Sequence, residues 1–103
     1  MVEFRVRFNT DIFDSLNSIA QYITADSPQN AEEVADAIVE IISSLAISPA
    51  RFRRVGKSRR SGAPVHMAST HSFNIYYRID HADQTVVVLD LRRGTRRQPR
   101  RFD

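Results

Sequence analysis

The most regular hydrophobic pattern in the chain lies between residues 73 and 91. Over residues 73–80 every second residue is apolar, which is the period expected of a strand with one buried face. The buried face is predicted to consist of Phe73, Ile75, Tyr77 and Ile79, and the other face of Asn74, Tyr76, Arg78 and Asp80. Residues 85–91 form a β-branched, nearly continuous apolar run, which is typical of an interior strand. The four residues between the two runs, His81 to Gln84, predict an antiparallel hairpin.

Two patterns nearer the N-terminus predict helices. Residues 12–25 carry apolar side chains at helical spacing, with Thr10 as a candidate N-cap. The pattern is then interrupted, because Ser27 can cap and Pro28 can begin a second helix. The second helix is predicted to bury the stripe Val34, Ile38, Ile41 and Leu45. Since the link between the helices is short, we expect an antiparallel helical hairpin.

The remaining segments complete the predicted order of elements. Residues 2–8 alternate as a first strand, and residues 65–70 indicate a short, weak strand before the hairpin. Between Pro49 and Pro64 no period is clear, so a long structureless loop is predicted. The order is therefore β-α-α-β-β-β in a single α+β domain over residues 1–103, with the helical hairpin on one face of a small, mainly antiparallel sheet. The basic tail, residues 92–103, could be flexible.

Composition excludes several classes of protein. The chain has 103 residues and no cysteine, which rules out a disulfide framework and thiolate metal sites. The longest apolar run falls far short of the roughly 20 residues needed to span a bilayer, and the N-terminus alternates instead of forming a signal sequence. The three histidines lack the spacing of a metal site. We therefore expect a cytoplasmic protein with no metal, no cofactor and no membrane partner.

Charge is distributed very unevenly along the chain. Residues 1–50 carry eight acidic and two basic side chains, a net charge of −6, whereas residues 51–103 carry thirteen basic and four acidic ones, a net charge of +9. Twelve of the fifteen basic residues fall in two acid-free blocks, residues 51–60 and 92–101. Eleven of these twelve are arginines, whose planar fork suits phosphate and carboxylate groups. The blocks therefore predict an acidic partner, either nucleic acid or an acidic protein segment.

Four short segments, taken with this order of elements, carry a family resemblance. They are the Ser27-Pro28 junction, Ile75-Tyr76-Tyr77-Arg78-Ile79-Asp80, Thr85-Val86-Val87-Val88-Leu89 and Gly94-Thr95-Arg96-Arg97. In their order and spacing they resemble the ParE/RelE superfamily of bacterial toxins, over nearly the whole chain. The resemblance implies a cytoplasmic toxin of a type II toxin–antitoxin pair, held inactive by a cognate acidic antitoxin. RelE-like members cut mRNA on the ribosome, and ParE-like members poison DNA gyrase.

Three features bear on which branch the chain follows. RelE-like nucleases usually carry an arginine near the start of the third strand, where this chain has Asn74, and they often place His or Tyr near the C-terminus, where residues 92–103 contain neither. ParE-like toxins end their last strand in a pattern similar to Leu-His-Gly-Arg-Arg. Residues 91–97 keep its glycine and arginines and lack its histidine. The resemblance therefore favours a ParE-like gyrase inhibitor that acts by binding. The alternatives are a ribosome-dependent mRNA interferase and a degenerate toxin that retains only antitoxin binding.

Two sets of candidate residues follow from these alternatives. The residues expected to bind the target or the antitoxin are Asn74, Tyr76, Arg78, Arg92, Arg93, Arg96 and Arg97. In the nuclease alternative the charge stabilisers would be Arg78, Arg92, Arg93 and Lys57, with the ribosome and mRNA as partners. Tyr76 could stack on a partner or pack across the strands. Arg78 could bind a partner or pair with an acid on a neighbouring strand.

Overall fold

The structure is a computed structural model and describes residues 3–8, 12, 14, 21, 28–70 and 73–93. Side chains are described for these residues except 28–32 and 93. Within these ranges the chain is α+β, with one helix and a five-stranded mixed sheet. No helix in the described residues combines the length and the apolar character needed to cross a membrane.

The described residues form one helix and five strands. The elements are β1 Arg5–Phe8, α1 Pro28–Ser44, β2 Arg54–Lys57, β3 Pro64–Thr70, β4 Phe73–Asp80 and β5 Thr85–Arg93. A 3₁₀ turn, Pro49–Arg51, connects α1 to β2. The strands lie side by side in the order β1-β5-β4-β3-β2, with β1 parallel to β5 and every other pair antiparallel. The edges of the sheet are therefore β1 and β2.

The predicted hairpin is confirmed and forms the middle of the sheet. β4 and β5 pair antiparallel around the turn at residues 81–84, which a hydrogen bond from the Asp83 backbone N–H to the Asp80 carboxylate closes. All four residues predicted for the buried face of β4 are buried. β5 extends to Arg93, two residues beyond the predicted end, so part of the predicted tail is strand.

The core lies between α1 and one face of the sheet. Val34, Ile38 and Leu45 of the predicted helical stripe are buried, and Ile41 packs against them half-buried. They meet the inward residues of three strands, Ala68, Phe73, Ile75, Tyr77, Ile79, Val86, Val88 and Leu91. The amphipathic pattern of α1 therefore places it on the sheet as expected.

The predicted first helix falls almost entirely outside the described residues. Of residues 12–25, only Ile12, Asp14 and Gln21 are described; each has helical backbone, and Ile12 joins the core. The helical hairpin therefore stays a prediction.

The long structureless loop predicted between Pro49 and Pro64 is wrong. Residues 54–57 form β2, which pairs antiparallel with β3 through an irregular register between Arg54 and Gly56. A tight turn at residues 58–63 joins the two strands. The pattern of apolar residues does not reveal β2, because β2 is a short edge strand held by backbone pairing. Its charged side chains do not contribute to the core.

Candidate functional site

A β-bulge decides which side chains of β5 reach the face of the sheet opposite α1, here called the outer face. Tyr76 pairs with Asp90 and Tyr77 with Val88, so Leu89 is the extra residue. An insertion of this kind reverses the alternation of inward and outward side chains beyond it. As a result Leu91 points into the core, while Asp90 and Arg92, two residues apart, lie on the outer face. The bulge therefore places the predicted site residue Arg92 on the outer face, beside those of β4.

Asn74 sits in a polar row that crosses three strands. Its Cα partners are Ser69 on β3 and Arg92 on β5. The Ser69 hydroxyl donates a hydrogen bond of 2.7 Å to Oδ1 of Asn74. The amide oxygen is therefore already engaged, and an amide carries no charge with which to offset a phosphate. Asn74 therefore stays a predicted binding residue, with its amide oxygen engaged within the sheet.

The charge of Arg92 is partly offset by its neighbour. Nε of Arg92 lies 2.7 Å from Oδ2 of Asp90, with the two side chains 40% and 26% exposed. The other carboxylate oxygen of Asp90 accepts a hydrogen bond from the Leu91 backbone N–H at 2.8 Å. A pair this exposed adds only about 0–1 kcal/mol to stability. It does, however, hold the guanidinium in place and reduce its attraction for a second anion.

Tyr76 is not the exposed aromatic that an interaction through stacking would require. Its side chain is 1% exposed, although it belongs to the outer face of β4. It packs with Val65 in a second, smaller apolar cluster that also includes Val55, Met67 and Leu89. The cross-strand packing role considered for Tyr76 is therefore the one that the structure supports, and a partner cannot stack on this ring without displacing its neighbours.

Arg78 lies further along the outer face, in more apolar surroundings. Its Cα partners are Val65 on β3 and Val87 on β5, and its side chain is half-buried. Within the described ranges the ion pair present joins Arg92 to Asp90, so Arg78 has no carboxylate partner there. A half-buried guanidinium without a described counter-ion remains able to bind an anionic group.

The described residues of the nuclease alternative come from backbone positions that are well separated in the sheet. Arg78 is four residues from Asn74, the partner of Arg92, so Arg78 and Arg92 are about 13 Å apart along the strand direction. Lys57 is at the sheet edge, opposite Pro64, and lies about 10 Å across the sheet from β4. The side chain of Arg93, and Arg96 and Arg97 altogether, are outside the described residues.

A second polar cluster lies on the helix side of the sheet. The hydroxyl of Tyr77 donates a hydrogen bond to the carbonyl oxygen of Pro49, and the ring stacks on His66 at a centroid distance of 5.3 Å. Nδ1 of His66 lies 2.7 Å from the carbonyl oxygen of Phe52. The cluster therefore fastens the 3₁₀ turn and the start of β2 to the middle of the sheet. The sequence analysis missed this cluster because its hydrogen-bond acceptors are backbone carbonyl oxygens, which no side-chain pattern marks.

Burial raises the pKa of Tyr77 from 10.0 to about 12, and the charge of Arg51 and a backbone hydrogen bond with Phe52 oppose this only in part. The phenol therefore stays protonated at neutral pH. It is a structural hydrogen-bond donor and is unsuited to act as a general base.

Replacing Tyr77 by Phe should lower the free energy of unfolding by about 1–3 kcal/mol at neutral pH, because the Pro49 carbonyl loses its buried donor. In the wild type, the raised pKa means that the folded state holds the proton more tightly than the unfolded state. This contribution is complete below pH 10.0 and is lost as the pH rises to about 12. The difference between the two proteins should therefore shrink over that range. Urea unfolding at a series of pH values measures it; a difference that stays constant would contradict the raised pKa.

A family model and one similar solved structure agree on the superfamily. Residues 6–98 match the model of the ParE toxin of the type II toxin–antitoxin system parDE. The toxin–antitoxin complex RelBE2 from Mycobacterium tuberculosis contains a chain with 32% sequence identity and a TM-score of 0.59, over 91% of this chain and 95% of that one. The archaeal RelE–RelB complex from Pyrococcus horikoshii OT3 gives a TM-score of 0.63 at 16% identity, over 94% and 100% of the two chains, and so supports the fold alone. A comparison with curated protein sequences gives no significant match.

The family model spans most of the chain, and the four segments that carry the resemblance lie within it. The chain belongs to the ParE toxin family of type II toxin–antitoxin systems, within the ParE/RelE superfamily.

Proposed function

We propose that this toxin acts in the cytoplasm by binding and inhibiting DNA gyrase, and that it does not cut RNA. The observation that carries the proposal is that two polar side chains of the outer face are already engaged within the sheet. Asn74 accepts a hydrogen bond from Ser69, and Arg92 is paired with Asp90. The match to the ParE family model supports the same branch.

RNA cleavage would require catalytic groups that the described side chains of the outer face do not supply together. The reaction needs a base for the 2′-hydroxyl, a cation for the phosphate and a donor for the leaving oxygen, all within hydrogen-bond reach of one nucleotide. Among the described side chains of the outer face, Asn74 is neutral and Asp90 already accepts two hydrogen bonds. Tyr76 is buried, and the backbone positions of Arg78 and Arg92 are about 13 Å apart along the strand direction. A binding function needs no such convergence, since each arginine can meet a separate carboxylate.

A cognate acidic antitoxin is the second partner of the proposed function. Both similar structures are toxin–antitoxin complexes. The net charge of +9 over residues 51–103 suits an acidic antitoxin segment, which would fold as it binds. Arg78 and Arg92 are described cations through which such a segment could reach the outer face.

The second candidate function is that of a RelE-like mRNA interferase. The specific observation in its favour is the 32% identity to a chain of the RelBE2 complex over nearly the whole length. In that reading Arg78, Arg92, Arg93 and Lys57 would stabilise charge, and the ribosome would have to bring the nucleotide to them. A toxin that has lost its target and binds only the antitoxin is the remaining alternative.

Two assays on the same purified protein test the proposal. DNA gyrase should lose its supercoiling activity as the toxin is added, whereas relaxation by a type I topoisomerase, the control, should not change. Translating ribosomes incubated with the toxin should show no codon-specific cleavage of the mRNA. Cleavage in the ribosomal A site would replace the proposal by the interferase reading. Activity in neither assay would also overturn it, in favour of the degenerate toxin.

A further inference from the structure

The first basic block of the sequence forms one exposed edge of the sheet. The structure places it just before β2, along β2 and in the turn that follows, and we call its five exposed cations without an aromatic contact the basic edge. These are Arg53, Arg54, Lys57, Arg59 and Arg60, all of them exposed. Gyrase inhibition as proposed assigns no role to these five residues, which lie at the end of the sheet away from β5, and the interferase alternative names only Lys57.

The backbone under the basic edge is held at both ends. On the side of β2, the Met67 backbone N–H donates to the carbonyl oxygen of Arg53 at 3.0 Å. In the turn, the N–H of Ser58 donates to the carbonyl of Ala63 and the N–H of Gly62 to the carbonyl of Ser58, both at 2.8 Å. Gly62 has a φ of 71°, which favours glycine, and Ser58 is 2% exposed. The cations therefore project from a fixed scaffold, which lowers the entropic cost of binding through them.

No described carboxylate neutralises these charges. The sequence contains no acidic residue from position 41 to position 79, a stretch that includes all of β2 and β3. The ion pair found in the described part of the chain, Arg92 with Asp90, lies on another strand. Arg51 differs from the five, because its guanidinium sits 4.6 Å from the centre of the Phe52 ring. The basic edge therefore offers five charges to a polyanion.

The character of the edge favours a phosphate backbone over a protein. Tight protein partners need apolar anchors that become buried at the centre of the interface. The exposed large hydrophobic side chains of the described residues are Phe8, Val39 and Ile47, and none of them belongs to the basic edge. Binding to a nucleic-acid backbone needs only cations at suitable positions, because its free energy comes from the release of counter-ions.

The same surface favours a duplex over a single strand. Proteins bind single strands by stacking bases on exposed aromatic rings. The one aromatic residue between positions 51 and 63 is Phe52. It is half-buried, packs edge-on against Tyr77 at 6.4 Å and has Arg51 over its face. From Arg54 to Lys57 the strand extends about 10 Å, which matches about three nucleotides of rise along one strand of a duplex.

We propose that the basic edge binds the phosphate backbone of duplex nucleic acid, independently of its sequence. This activity goes beyond gyrase inhibition and does not depend on it. It would keep the toxin close to DNA whichever enzyme it inhibits.

The test measures binding of the purified protein to a fluorescent DNA duplex of about 20 base pairs by anisotropy, over a series of salt concentrations. The logarithm of the affinity should fall linearly with the logarithm of salt concentration, by about 0.9 for each phosphate contacted. The double variant Arg59→Gln/Arg60→Gln should reduce that slope by about 2 and weaken binding at least about tenfold at 0.1 M salt. Arg53→Gln/Arg54→Gln should act in the same direction, and thermal melts check that both variants remain folded.

The matched control is Arg5→Gln/Arg7→Gln on β1, the opposite edge of the sheet. It lowers the net charge from +3 to +1, as the Arg59/Arg60 variant does, and replaces side chains that are likewise exposed. It should leave the slope unchanged. An equal loss in the control would mean that net charge alone governs binding and would overturn the proposal. Tighter binding to a single DNA strand of the same length would also overturn the proposal. The same holds if poly-glutamate displaces the labelled duplex as effectively as unlabelled duplex does.

Discussion

Replacing Val88 by Asp should abolish folding. Val88 is 1% exposed and lies in β5, where its Cα partners are Tyr77 on β4 and Phe8 on β1. An aspartate at this position must either bury an unpaired charge or take up a proton, and either change costs several kcal/mol. The total stability of a domain this size is only about 5–15 kcal/mol. Circular dichroism should show a protein without a cooperative melting transition.

The same substitution at Val39 is the control. Val39 lies on α1 and is 61% exposed, so Val39→Asp introduces the same carboxylate without burying it. Its stability should stay within about 0.5 kcal/mol of the wild type. Val88→Ala, which removes only part of the side chain, should fall between the two. A cooperative melt of Val88→Asp near the wild-type temperature would mean that β5 is not in the core.

Leu91→Asp distinguishes the bulged register from a regular one. Unbroken alternation from Val86 and Val88 would place Leu91 on the outer face, but the bulge turns it into the core, where it is 4% exposed. Its substitution should therefore cost about as much as that of Val88, and more than that of Leu89, which is half-buried on the outer face. A loss at Leu91 as small as that at Leu89 would contradict the bulge.

The elements that the sequence predicted well are those whose side chains contact the core. The alternation of residues 73–80 follows from one buried face, and the structure buries all four expected residues. The stripe on α1 arises in the same way, because residues three or four apart share one face of a helix. For these elements, a local pattern carries nearly all the information about their orientation.

The features that sequence reasoning missed depend on neighbours distant in the chain. β2 exists because β3 offers it a backbone edge, and no period in its own residues records that pairing. The burial of Tyr76 depends on Val65 and Met67 of β3, since alternation alone assigns it to the outer face. The bulge could have been noticed, because Asp90 is polar at a position that an unbroken alternation from Val86 and Val88 would bury. These three features, more than the predicted elements, determine what the outer face presents.

Replacing four arginines by glutamine should abolish toxicity without unfolding the protein. These are Arg92, Arg93, Arg96 and Arg97. Arg92 is the one whose side chain is described, and its exposed pairing with Asp90 contributes at most about 1 kcal/mol to stability. If the four guanidinium groups bind carboxylates of the target, each hydrogen-bonded charge pair contributes about 1.5–3 kcal/mol. Their joint loss should therefore weaken gyrase inhibition by at least about a hundredfold. Supercoiling assays and growth after induction measure the two effects.

The matched control replaces the same four arginines by lysine, which keeps the net charge of +3. Lysine supplies a point charge but cannot form the two parallel hydrogen bonds of a guanidinium with a carboxylate. If charge attraction alone brings toxin and target together, the lysine variant should inhibit gyrase almost as well as the wild type. If the arginines hold carboxylates by paired hydrogen bonds, the lysine variant should fall between the wild type and the glutamine variant, and the association rate should change less than the dissociation rate. We expect the second result, because eleven of the twelve residues in the two basic blocks are arginine. A glutamine variant that stays fully toxic would move the target-binding surface away from the end of β5, to other described cations such as Arg78 or the basic edge.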